Sequence, residues 1–242
     1  MRVNVLAKKS EYLFREVARI AEGAKMKVNK RKTQMLCIHA KRSVDVTSFI
    51  RLDISNGEKI TSTDTLKILG FTFNHEPNAS AHVKLLIDKF YSKLWILRFL
   101  KRSGMEQSDL LKVYYTVIRP CAEYSSIVYN TLIPQYLANK LELMQKQAIK
   151  IIYGYNINYG NILEIKGIET LAERRTKSSL SFAINNKDKD RFKKWFPLAP
   201  NERTNVRGTT HRKYLEKQTR TERTKNNPLQ NMIRLLNEHE QK

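Results

Sequence analysis

Cysteine is nearly missing from this chain: Cys37 and Cys121 are all that 242 residues carry, and no CxxC or Cys/His cluster accompanies them. That excludes a disulfide-dense scaffold and removes the thiolate sets that hold a structural zinc. One bridge between the two is open, but each sits on an apolar stretch, the setting of a buried free thiol in a reducing compartment. The five histidines (His39, His75, His82, His211 and His239) are scattered and read as surface or loop residues. Acid is scarce as well, with 23 Asp and Glu against 45 Lys and Arg. No two aspartates adjoin, and the closest couple, Asp188 and Asp190, lies in a lysine-rich stretch and reads as solvated charge. The sequence therefore assigns no catalytic residue and no metal ligand. No apolar run reaches the roughly 18 residues of a membrane span. Residues 1–7 are too short an apolar run for a signal peptide. The expectation is an intracellular protein, cytoplasmic or nuclear and not secreted.

What remains is strongly basic. The formal net charge is +22, and such an excess favours polyanions, because each phosphate contact by Lys or Arg releases condensed counterions. With 41% hydrophobic residues the chain is still able to bury a core, in one domain or two small ones.

The organising stretch is 108–154. Residues 108–119 read as a helix capped by Ser108, and Pro120 opens a second short segment over 121–129. A third helix begins at Pro134 and carries Leu137, Leu141, Met144, Ala148 and Ile151 at three- and four-residue spacing. Gly154 supplies its stop. Before this module, residues 1–7 alternate like a strand, and Ser10 caps a helix with Leu13, Val17 and Ile20 on one face, ending near Gly23. Residues 33–38 read as a buried strand and 49–54 as another. The Asn56-Gly57 turn then sets Lys59-Ile60 antiparallel to the latter. Residues 66–73 read as a fourth strand, with Gly70 where a backbone approaches closely. Residues 80–100 form a helix with Val83, Ile87, Phe90, Leu94, Leu97 and Leu100 inward, joined to the module through Ser103-Gly104. A loop and short helix cover 162–171, and 172–183 is helical. Residues 201–227 are too polar to fold alone, and the last dozen residues suit a short helix.

These signals, in this order, resemble the C-terminal part of a non-long-terminal-repeat retrotransposon reverse transcriptase. Residues 26–35, with Lys27, Asn29, Lys32 and Thr33, are similar to the fourth palm motif, K-x-N-x-x-K-T. Ile68-Leu69-Gly70-Phe71 resembles the fifth, the hairpin called the primer grip. Residues 114–129, 141–154 and Leu171-Ala172-Glu173-Arg174-Arg175 resemble successive thumb elements, with Tyr129 where Trp is commoner. The likeness covers residues 1–185. It implies that Lys27, Asn29, Lys32 and Thr33 lie near an incoming nucleotide and that Leu69 and Gly70 press on the primer. The helices of the thumb would hold the template–primer duplex. The family's Asp-Asp pair, which holds two magnesium ions, is missing; the resemblance places it just upstream of residues 3–7.

The expected fold is α+β: a truncated palm-like helix-and-antiparallel-strand unit (1–75), a thumb-like all-α bundle (76–156), a helical connection (157–197), and a basic, largely disordered tail (198–242). The expected function is that of a reverse-transcriptase fragment, inactive as an RNA-directed DNA polymerase by itself but keeping a nucleic-acid-binding surface. The alternatives are a non-enzymatic domesticated binding protein that acts through its tail, and a module that docks on the missing palm and fingers. Candidate contacts to RNA, DNA or a hybrid duplex are Lys84, Lys93, Arg98, Lys101, Arg174, Arg175, Lys193, Lys194, Arg212 and Lys213. Arg174 and Arg175 read equally as a salt-bridged helix face. Tyr114, Tyr124 and Tyr129 suit stacking on bases or, at helical spacing, a core. No cofactor is expected on this chain, magnesium belonging to the intact enzyme, and no membrane partner is expected.

Overall fold

Between Arg2 and Gly23 no glycine or proline interrupts a run of good helix formers, and the whole stretch is one helix, α1 (Arg2–Gly23). The computed structural model in which it stands describes residues 2–29, 32–38, 51–55, 58–76, 78–199, 213–219 and 221–241. The chain divides into two compact units, Met1–Ala81 and His82–Lys242. Helix and strand are mixed, and among the described residues the named strands lie in the first unit.

In the first unit α1 corrects two expectations. The opening residues are helical rather than extended, because three alternating residues do not outweigh a continuous helical run, and Ser10 lies inside the helix rather than at its cap. Phe14 turns inward and packs with Met35 on Ile60, whereas Leu13, Val17 and Ile20 are exposed. The buried strand expected at 33–38 is a single parallel bridge between Met35 and Ser62, fastened by the Thr63 N–H, which donates to the Met35 carbonyl at 2.8 Å. No second described strand extends that bridge into a ladder. Strands β1 (Arg51–Ser55) and β2 (Glu58–Thr61) pair antiparallel, with Leu52 opposite Ile60, as the sequence predicts. The Asn56-Gly57 turn lies outside the described residues. The fourth predicted strand is in fact a hairpin. Strands β3 (Thr65–Ile68) and β4 (Phe71–Asn74) pair across Leu69 and Gly70, whose φ values of 48° and 83° suit the mirror-image turns that match strand twist.

The second unit is helical. Helix α2 (Ser80–Arg102) buries Val83, Ile87, Phe90, Leu94 and Leu97 as its periodicity predicts, and also Leu86 and His82. His82 is thus a core residue and not a surface one: burial holds its imidazole below the usual pKa, with Lys89 adding to the effect. The chain turns at Gly104, φ 83°, and enters α3 (Gln107–Val113), whose N-cap is Glu106 rather than Ser108. Pro120 does not end this helix. Without an N–H, and with its ring crowding the turn before it, the proline is absorbed by a π-helical turn, Tyr114–Ile118. There Arg119 N–H donates to the Tyr114 carbonyl, five residues back, and α4 (Arg119–Glu123) continues. The true break comes at Ser125, φ 57°, before α5 (Ser126–Tyr129). The Tyr129 hydroxyl then ties α5 back by donating to the Ala122 carbonyl.

Helix α6 (Gln135–Tyr153) starts after Pro134, stops at Gly154 and buries Leu137, Leu141, Met144, Ala148 and Ile151, all as read from the sequence. Helix α7 (Tyr159–Lys166) is capped by Asn158, which accepts from the Gly160 and Asn161 N–H groups. Helix α8 (Leu171–Asn186) begins with a reciprocal capping box between Thr170 and Glu173. A 3₁₀ turn at Lys193–Trp195, a short α9 (Glu222–Lys225) and α10 (Pro228–Glu240) complete the unit.

The described part of the 198–242 segment is not a loose tail. Met232, Ile233 and Leu236 of α10 join Ala183, Phe196 and Tyr214 in one buried cluster on α8. Asn237 locks Tyr214 there, accepting its N–H at 2.9 Å and donating to its carbonyl at 3.1 Å. The polarity of 201–227 hides this, because only Tyr214 of that stretch joins the cluster and the rest of its apolar surface comes from Ala183 and Phe196 before it and α10 after it.

Candidate nucleic-acid interface

Solvent-facing cations are the raw material of a phosphate-binding surface, and the fold sorts them into those with internal duties and those without. Lys101 stands at the C-terminal end of α2, where its Nζ donates to the Ile151 and Ile152 carbonyls at 2.6 and 3.3 Å. Those are last-turn carbonyls of α6, which a cation satisfies both as donor and against the helix dipole. Lys93 likewise donates to the Val117 carbonyl in the π-helical turn, at 3.0 Å.

Arg174 lies between two carboxylates, paired to Glu123 and, at 3.2 Å, to Glu169. Glu123 also takes Arg119 at 3.3 Å. Arg175 is 3% exposed; its Nε donates to Asn130 Oδ1 at 3.2 Å and its guanidinium stands 3.6 Å from Glu142. Both arginines thus belong to the salt-bridged reading, and Arg175 offers no donor to a phosphate outside. Burial pushes the Glu142 carboxyl above its usual range, against the pull of Arg175. Lys193 pairs with Asp190 at 2.7 Å, Lys194 is exposed, and Lys213 reaches Glu240 at 3.1 Å. Arg212 lies outside the described residues.

In the first unit Lys27, Asn29 and Lys32 are exposed. Asn29 organises a local turn: Lys32 N–H donates to its Oδ1 at 3.1 Å, and the Thr33 hydroxyl to its carbonyl at 2.9 Å. Leu69 and Gly70 form the hairpin tip, with Leu69 89% exposed. Tyr114 and Tyr129 are fully buried, Tyr114 donating to Gln145 Oε1 at 2.9 Å, while Tyr124 is exposed. Burial holds both core phenols well above their usual pKa.

Helix α2 carries a further set of exposed cations. Lys84, Arg98 and Arg102 share its outward face, where no described residue forms an ion pair with them, and Asp88 is the carboxylate among them. Periodicity carried Lys84 and Arg98 into the candidate set but missed Arg102 and the exposed rings Tyr91, Trp95 and Phe99 on the same face. Their signal was present as the complement of the buried stripe. Among the described residues no group of His, Cys, Asp and Glu is placed to hold a metal ion, and no helix is long and apolar enough to cross a membrane. No protein-family model, curated protein or solved structure matches the chain.

Proposed function

We propose that this protein binds nucleic acid without catalysing polymerisation, as a piece of the late palm and thumb of a non-long-terminal-repeat retrotransposon reverse transcriptase. The observation that carries the reading is the net charge of +22, part of which is exposed on the outward face of α2 with no ion pair among the described residues. A charge of that size repels itself in the compact state and is relieved by polyanions. The Leu69-Gly70 turn supports the family reading, since a tight hairpin stands at the position of the primer-grip motif. The lack of any adjoining aspartates supports inactivity, because the family this chain resembles holds its two magnesium ions on an Asp-Asp pair that the sequence does not contain.

Primer extension on an RNA template with magnesium, run beside binding to the same template–primer at two salt concentrations, tests both parts. The expected result is no incorporation, with affinity that falls steeply as salt rises. Incorporation above a blank overturns the inactive reading, and absence of binding at low salt overturns the nucleic-acid reading.

The exposed stripe Leu13, Val17 and Ile20 on α1 favours a second reading, in which the first unit docks on the rest of a palm. Co-expression with the upstream fingers and palm of such an enzyme would then yield a complex, and Val17→Asp would abolish it.

A further inference from the structure

The outward face of α2 carries more than charge. Tyr91, Trp95 and Phe99 recur at every fourth residue, so their side chains leave the helix in one row. They are 36%, 60% and 59% exposed, while Phe90, Leu94 and Leu97 fill the core from the opposite face. The Trp95 and Phe99 rings stand 6.2 Å apart, edge toward face. Lys84 and Arg102 lie at the two ends of the row and Arg98 beside it, a span of roughly 27 Å along the helix.

We propose that this row is a stacking platform for single-stranded nucleic acid, with the rings taking unpaired bases and Lys84, Arg98 and Arg102 taking phosphates. The proposal rests on the nucleic-acid reading above and narrows it to a substrate class. In a duplex the bases are stacked on one another and offer only their edges in the grooves, so an aromatic face gains little. In a single strand the faces are free, and any base suffices. Large rings left in water beside like-charged cations, on a chain of net charge +22, suit a polyanion with exposed π-faces better than an apolar protein surface. Asp88 is the one opposing charge on this face, outnumbered by the cations beside it.

The full chain is titrated with an oligouridine of about twelve nucleotides and with a duplex of equal length, lengths chosen to cover the row. Trp95 emission is read in a Trp195→Phe background, which leaves it the only tryptophan. The single strand is expected to bind more tightly than the duplex and to quench Trp95. Trp95→Ala combined with Phe99→Ala is expected to weaken single-strand binding by at least about 30-fold and to change duplex binding by less than about 2-fold. Trp95→Phe, which keeps a ring, restores most of the loss. A bound single strand that leaves Trp95 unquenched overturns the proposal and reserves the row for a protein partner. Equal losses on both ligands overturn it too. Failure of the parent chain to bind either ligand at low salt overturns instead the reading beneath it. Should the double alanine variant not fold, quenching alone decides.

Discussion

Arg175 shows how a single residue's surroundings redirect its chemistry. A guanidinium on a helix beside Arg174 looks like a phosphate contact until burial is known. At 3% exposure, bonded to Asn130 and facing Glu142, it is part of the interior. Removing one partner of such a pair leaves the other desolvated, so Arg175→Ala is expected to cost about 3 kcal/mol. Arg174→Ala, nearer the surface, should cost about 1 kcal/mol or less. Urea midpoints measure both, and equal losses would place the two arginines in one environment. A second residue, Glu240, sets a pH dependence. Lys187 and Lys213 hold its carboxyl down at about 2, from an ordinary 4.5. A depressed carboxylate stabilises the fold fully above its unfolded value and loses that contribution as pH falls through the folded one. Glu240→Gln should therefore lower Tm at pH 7, and the gap between variant and parent should close between about pH 4.5 and pH 2. A gap that stayed constant across that window would remove the two lysines from the stability of α10.

At the scale of the element, the Leu69-Gly70 hairpin sets local comfort against exposure. Leu69 has φ 48° and is 89% exposed, so a branched apolar side chain stands in a conformation that favours glycine or asparagine. Leu69→Asn should raise stability by about 0.5 to 1 kcal/mol, read as a higher Tm. On the proposed reading it should also weaken template–primer binding, because the tip would lose the group that touches the primer. A gain in Tm with unchanged affinity would leave the tip no part in binding. The same hairpin marks the limit of what the sequence discloses. Helix α6 was legible end to end because Pro134, Gly154 and a clean apolar stripe are local signals. The hairpin read as one strand because Leu-Gly is not a usual turn pair and its four-residue strands differ little from one longer run. The π-helical turn was invisible, since periodicity cannot show that a chain will widen around Pro120 instead of stopping. The outward row on α2 was half legible: its cations were read, whereas its rings count as ordinary apolar residues until the buried face is known.

At the scale of the whole molecule, a net charge of +22 can act from α2 or from the basic segment 201–227. Deleting the C-terminal segment does not answer this cleanly. Leu236 lies fully buried with Met232 and Ile233 against Ala183, Phe196 and Tyr214, so Leu236→Ala alone should cost about 3 kcal/mol. Removing α10 would confound lost binding with lost folding. Charge-only changes avoid this. Lys84, Arg98 and Arg102 are exposed on α2, and converting all three to Gln removes charge without touching the core. For a single strand each phosphate contact contributes about 0.7 to the slope of log K against log salt, so the triple variant should flatten that slope by about 2. A matched variant carrying Gln at Arg203, Arg207 and Arg212 removes the same charge from the basic segment. If α2 is the contact surface, the first variant changes the slope and the second leaves it almost unaltered. If the second flattens the slope while the first does not, affinity resides in the segment and α2 is a bystander. Equal, small changes in both would mean that binding follows net charge alone, with no defined footprint on the fold.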